Sequence, residues 1–245
     1  MTLPVAVQLY SVRDNTEKDM PGTLKKIAEI GYKGVEFAGF MGIPAKKLKA
    51  ELDSLGLKAV GSHTPMQLLK EKLDEQIEYN LEIGNKYVIC PWHSFEGRED
   101  YVRAAGFFEE TGKKCRAAGL QFAYHNHDFE FKELDGEYGF DILMKASPEY
   151  VAAELDTGWA FFAGADPAAY LGKLKGRCPL IHVKDFKNTT EKSYTEVGTG
   201  IVDIGSIIKA AEGAGTEWAI VEQDATSLPT LESVKISFNN LKKFL

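Results

Sequence analysis

The stretch YHNHDFEF, Tyr124 to Phe131, sets two histidines either side of an asparagine directly after the apolar run GLQFA. Side chains alternate between the two faces of a strand, so a strand here puts Ala123, His125 and His127 on one face and Tyr124 and Asn126 on the other. Two imidazoles that look the same way can hold a cation or exchange a proton near neutrality, because free imidazole titrates at about pH 6.5. One isolated strand-end histidine is more often a hydrogen-bonded structural residue, so the weight falls on what else the chain carries. It carries Asp156 in ELDTGW, His182 in LIHVKD and Glu222 in VEQD, a mixed oxygen and nitrogen set without a thiolate. Such donors suit Mn²⁺, Mg²⁺, Co²⁺ or Zn²⁺ and not a soft-metal or iron–sulfur centre. Taken singly, each residue is explained as well by a structural salt bridge; taken together they read as a metal centre.

These residues need a frame that brings them together. Short apolar or β-branched runs recur at VAVQLY (5–10), GVEFA (34–38), LKAVGSH (57–63), YVICPW (87–92), LQFAYHN (120–126), VAAELD (151–156), LIHVKD (180–185) and WAIVEQ (218–223). Between them lie stretches of helical period, with Leu24, Ile27, Ala28 and Ile30 on one stripe and Leu73, Ile77 and Leu81 on another. Glycines in EIGYKGVEF, SLGLKAV, EIGNKYVI, AAGLQFA and GAGTEWAI stand where a helix ends and a strand begins, a place that favours left-handed backbone. Eight βα units with short αβ turns predict an α/β fold, a (β/α)8 TIM barrel, as a single domain over residues 1–245. A doubly wound open sheet is the competing fold, but the first βα turn, SVRDNTEKDMPG, lacks its glycine fingerprint.

Active sites of this barrel gather at the C-terminal ends of the strands. Polar residues fall there on every strand, and all 5 histidines of the chain lie at or beside a predicted strand end. Asp156, His182 and Glu222 belong to the last three strands, neighbours about 5 Å apart. Glu154 shares a face with Asp156 but lies deeper, where an ion pair with Lys184 explains it equally well. Glu36, His63, Trp92, Glu130, Trp159 and Lys184 are candidates to line a polyol pocket, the tryptophans by stacking on a sugar ring or else as plain core. The loop VGTGIVD could approach a phosphate through backbone N–H groups, although loop geometry explains its glycines as well.

Composition narrows the classes. With 44% hydrophobic and 27% charged residues the chain is ordinary globular material with enough apolar surface for one core. A net charge of -7, from 29 Lys+Arg against 36 Asp+Glu, argues against a nucleic-acid partner, and Lys46-Lys47 and Lys113-Lys114 read as solvated helix faces. Cys90, Cys115 and Cys178 show no CxxC spacing, which speaks for a reducing compartment and against a disulfide framework. No basic leader and no apolar stretch of about 20 residues is present, so the expectation is a soluble cytoplasmic protein without a membrane partner. Assembly into a homo-oligomer is left open.

Together QLYSVRD, GYKGVEFAGF, YHNHDFEF, ELDTGW, HVKD, EVGTGIVD and VEQD resemble the xylose isomerase-like TIM-barrel superfamily, in the sugar isomerase/epimerase branch that includes ketose 3-epimerases and inosose dehydratases. The likeness covers nearly the whole chain. It implies a divalent metal, typically Mn²⁺, bound at the barrel mouth by two glutamates, an aspartate and a histidine, with the glutamates exchanging a proton next to the carbonyl of a ketose. The aspartate matches Asp156, the histidine His182 and the strand-8 glutamate Glu222. The strand-5 glutamate of ketose 3-epimerases does not carry over: Ala123 stands in its place, and a histidine those epimerases have three residues after the aspartate is here Trp159. His125 is therefore expected at the metal centre as fourth ligand or as base, with His127 orienting substrate. The expected activity is metal-dependent isomerisation or epimerisation of a sugar, keto-sugar or cyclitol, with dehydration of a keto-sugar or inosose as the alternative. An endonuclease or a non-catalytic sugar sensor ranks below both.

Overall fold

The computed structural model describes residues 2–245, so the first residue of the expected domain lies outside the described residues. Eight parallel strands form a closed barrel: β1 (Val5–Gln8), β2 (Gly34–Phe37), β3 (Lys58–His63), β4 (Tyr87–Cys90), β5 (Gln121–His125), β6 (Val151–Asp156), β7 (Leu180–Val183) and β8 (Trp218–Val221). Each pairs with the next in the chain, and β8 returns to β1. All eight predicted runs are strands. Several runs outlast their strand, because the polar residues that follow turn into loops. Gln8 ends β1 by accepting the Tyr10 N–H at 2.9 Å, and Glu222 stands one residue beyond β8.

The glycines expected to close helices do so: Gly31, Gly56, Gly84, Gly119 and Gly215 all have φ between 67° and 116°. Leu24 and Ile27 of the helix Arg13–Ile30 are buried, with Ala28 and Ile30 packed at the edge of the core. The helix Leu73–Glu82 departs from the predicted stripe, for Leu81 is 45% exposed and Asn80 is buried. At 3.6 residues per turn Leu73, Ile77 and Asn80 share a face and Leu81 has rotated off it. Asn80 is satisfied there, its side-chain oxygen accepting from Ser62 Oγ at 2.8 Å and Asn85 Nδ2 at 2.6 Å.

Inside the barrel Ala6, Val60, Tyr87, Ile89, Ala123, Ala152, Leu180 and Ile220 pack as one apolar layer. Strand side chains face inward every second residue, so the next inward positions are Gln8 after Ala6, His125 after Ala123, Glu154 after Ala152, His182 after Leu180 and Glu222 after Ile220. The apolar plug thus floors a polar layer. Gly61 makes room for it, since a Cβ there would stand 2.5 Å from Ile89 Cδ1 and 2.6 Å from Glu36 Oε1. Gly61→Ala is expected to lose ~1–3 kcal/mol through overpacking. Chemical denaturation would show this as a lowered midpoint, and a wild-type midpoint would contradict the packing.

Candidate active site

His182 projects from β7 into the barrel, fully buried, and its two ring nitrogens face opposite carboxylates. Nε2 lies 2.6 Å from Glu36 Oε2 and Nδ1 lies 2.9 Å from Glu222 Oε2. Glu36 Oε2 also accepts from Gln8 Nε2 at 2.7 Å. Parallel register sets His125 level with Glu154 and Asp156 level with His182. Glu154 Oε2 consequently gathers three imidazoles: His63 Nε2 at 2.9 Å, His125 Nδ1 at 3.1 Å and His182 Nε2 at 3.4 Å.

Burial opposes charge throughout this layer, and neighbours decide which groups keep it. At His182 burial is overcome by Glu154, Glu222 and Glu36, which hold the ring well above its ordinary value. Burial also opposes charge on His63, yet Glu36 and Glu154 push it up to about 10. Despite burial, His63 and His182 keep Glu36, and Lys184 and His182 keep Glu222, well below the usual carboxylate range. Burial and the Glu36 charge push Glu154 up, and burial raises Asp156 to about 6 against the pull of Lys184. Burial, together with the cationic neighbours His182 and His63, holds His125 well below its ordinary value. His127 falls to about 4 through burial and Lys184. The layer therefore contains two charged imidazoles, His182 and His63, and two neutral ones, His125 and His127.

Two overlapping donor sets converge here, His63, His125, Glu154 and His182, and His125, Asp156, His182 and Glu222, with the donor atoms of each set within 4.8 Å of one another. The second set is the one expected from the sequence. Asp156 Oδ1 caps the helix Thr157–Phe162 by accepting the Trp159 N–H at 2.8 Å, which leaves Oδ2 buried without a hydrogen bond. Lys184 Nζ stands 3.2 Å from that oxygen, outside hydrogen-bond alignment, and 3.1 Å from Glu222 Oε2. A buried oxygen with no hydrogen-bond partner, beside two imidazoles and a second carboxylate, fits a divalent cation of the hard or borderline type.

A cavity of about 550 Å³ opens above this layer, and His63, His125, His127, Glu222 and Asp224 form its polar end. Trp92 is 52% exposed and lines the cavity, so it is not core. Four residues expected to contact substrate lie outside the lining. Glu36 is the buried partner of His182 and Gln8. Glu130 turns back to its own strand, accepting from Tyr124 Oη at 2.6 Å and the His127 N–H at 2.8 Å, and burial lifts its carboxyl to about 8. Trp159 is 3% exposed, its ring faced by Lys184 Nζ at 4.7 Å and Lys192 Nζ at 4.5 Å. Lys184 is buried among Asp156, Glu222 and Asp224, the last at 2.6 Å; the alternative ion pair with Glu154 is replaced by these three.

Two further features stand outside the polar layer. His93 stands apart from the other histidines, its ring 5.0 Å from that of Phe95 and outside the cavity. The VGTGIVD loop is no phosphate cradle, because the N–H groups of Gly198, Gly200 and Val202 all donate to the Asp185 carboxylate. Glu154 is the residue sequence reasoning placed too low, although its inward parity follows from the two-residue period from Ala152.

This chain belongs to the xylose isomerase-like TIM barrel family, whose model matches residues 24–244. It is 24% identical over 235 residues to an inosose dehydratase of Lacticaseibacillus casei, covering 79% of this chain and 78% of that one. A sugar phosphate isomerase/epimerase from Parabacteroides distasonis ATCC 8503 superposes with a TM-score of 0.85 at 25% identity, covering 100% of this chain and 96% of that one. An L-ribulose 3-epimerase shares the fold, with a TM-score of 0.79 at 14% identity over 100% of this chain and 95% of the other. The family is an enzyme superfamily, and the chain's neighbours in it include proteins named as sugar isomerases or epimerases and inosose dehydratases. Among the described residues no helix is long and apolar enough to cross a membrane.

Proposed function

We propose that the protein is a metal-dependent isomerase or epimerase of a sugar, keto-sugar or cyclitol that works by proton abstraction next to a carbonyl. The observation that supports this reading is the meeting of an ionised Glu222 and a neutral His125 at the floor of one cavity, beside a donor set suited to a divalent cation. Mn²⁺ or a similar ion held by His125, Asp156, His182 and Glu222 would polarise the substrate carbonyl and hydroxyl. Glu222 would take the proton next to that carbonyl. If His125 is not engaged as a ligand, its uncharged ring is available to accept a proton at neutral pH. His125 Nδ1 lies 3.1 Å from Glu154 Oε2, and with the ring proton on that nitrogen Nε2 is free for either task. His127, on the cavity wall, would orient hydroxyls.

Dehydration is the second reading, favoured by His63. Its ring lines the cavity and, held up to about 10, is charged at neutral pH, so it can give a proton to a departing hydroxyl. A panel of keto-sugars and inososes followed by NMR separates the two: epimers or isomers of unchanged mass support the first, loss of water the second, and no turnover of any member refutes both. Glu222→Gln keeps an oxygen donor and nearly the same volume while removing basicity. It is expected to lower turnover about 100- to 10,000-fold with a smaller loss of metal. A wild-type rate would remove Glu222 from the chemistry.

A further inference from the structure

We propose that the mouth of the cavity is a subsite for a planar apolar ring carried by the substrate, so that the molecule processed is a keto-glycoside, a sugar ring bearing both the ketone that the proton transfer needs and an aromatic aglycone, and not a free sugar. The inference rests on the sugar-binding reading for the inner, polar end and adds an occupant for the outer one. The cavity measures about 550 Å³, within the range of about 300–1,000 Å³ that takes drug-sized ligands, and a free hexose fills a minor part of that. The inner end carries the imidazoles and carboxylates already described. The outer end is built from Tyr10, Phe40, Pro65, Leu68 and Trp92, with Gln76 as its polar side chain. Tyr10 is 42% exposed and Trp92 52% exposed, large aromatic surfaces left open beside the catalytic layer.

The outer wall is preformed. Phe40 stacks on Tyr79 with ring centroids 3.9 Å apart and planes inclined by 21°, and Tyr79 Oη donates to the Ile43 carbonyl at 2.6 Å. The loop that presents Phe40 is bent by left-handed backbone at Gly39, Met41 and Gly42, with φ of 83°, 51° and 69°. Left-handed backbone at Met41 is a conformation an ordinary side chain adopts at a cost, and such costs gather at binding loops. A wall fixed in advance binds a flat ring without first having to order side chains. A second sugar ring is less suited to this end: its hydroxyls would meet Gln76 and the Tyr10 hydroxyl and otherwise lose water without a replacement partner.

Calorimetric titration of the full-length protein with phenyl glycosides, methyl glycosides and disaccharides of glucose, galactose and xylose tests this. At least one phenyl glycoside is expected to bind about tenfold or more tightly than its methyl counterpart, and Trp92→Ala and Leu68→Ser are each expected to cut that ratio to about threefold or less. Equal affinity for phenyl and methyl glycosides overturns the subsite, as does a ratio that survives both variants or no measurable binding at millimolar concentration. A disaccharide that binds more tightly than every phenyl glycoside overturns the aromatic assignment. Failure here leaves the proton-transfer reading standing, since product analysis tests that separately. The phenyl glycosides carry no ketone, so their binding reads the subsite alone.

Discussion

Asp156→Asn is expected to purify as a folded protein that holds no stoichiometric divalent metal. The amide oxygen can still accept the Trp159 N–H, so the helix cap that Oδ1 provides is kept, whereas Asp156→Ala loses it at a cost of about 1 kcal/mol. What the asparagine cannot supply is the charge at Oδ2, the buried oxygen without a hydrogen bond that faces His182 and Lys184. Removing outer-shell partners of metal ligands alone costs about 10- to 100-fold in affinity, so loss of a charged ligand should exceed about 100-fold. Thermal melts give the same answer by a second route. A metal at 100 times its Kd stabilises the native state by about 2.7 kcal/mol, so added Mn²⁺ should raise the wild-type Tm and leave the variant unmoved. Affinity should also fall as pH is lowered. His182, held high in the metal-free chain, and Asp156, raised to about 6, must give up protons to bind a cation. Equal metal in wild type and Asp156→Asn would remove Asp156 from the centre.

His125→Ala is expected to abolish turnover, and its metal content tells why. Lost metal assigns His125 as a ligand; retained metal with lost proton exchange assigns it as the base, with a loss of about 100- to 10,000-fold. Sequence reasoning alone sets the acid limb of a His125 base at pH 6 to 7, the range of a free imidazole. The fold moves it. Burial favours the neutral ring, so the limb that His125 contributes should lie below pH 6.5. Rate measured against pH from 4 upward checks this, and a variant with normal metal and normal turnover would return YHNH to a structural strand end.

The barrel was readable because five of its αβ turns carry their own local signal. Gly31, Gly56, Gly84, Gly119 and Gly215 each need a left-handed conformation that few other residues take without strain. That the His125, Asp156 and His182 side chains face the barrel interior was readable by parity along single strands, and the same parity places Glu154. The contacts of Glu154 with His63, His125 and His182 were not readable, because they depend on the register between strands, which no single strand encodes. Parity also lapses once the chain leaves a strand. Glu130 sits in the turn Phe129–Phe131, and nothing in its spacing says that it folds back onto Tyr124. The amides of VGTGIVD looked available for a phosphate only because Asp185, thirteen residues before Gly198, was not known to fill them.

Solvent deuterium incorporation, followed by NMR while keto-sugars and cyclitols are incubated with the protein, bears most directly on metal-dependent proton abstraction at this centre. Deuterium should enter at a carbon next to the carbonyl with wild-type protein and Mn²⁺, disappear on addition of a chelator, return when metal is restored, and be absent from Asp156→Asn. Exchange that persists at the wild-type rate in the chelated protein or in Asp156→Asn, or no exchange into any of these substrates with metal bound, would contradict it.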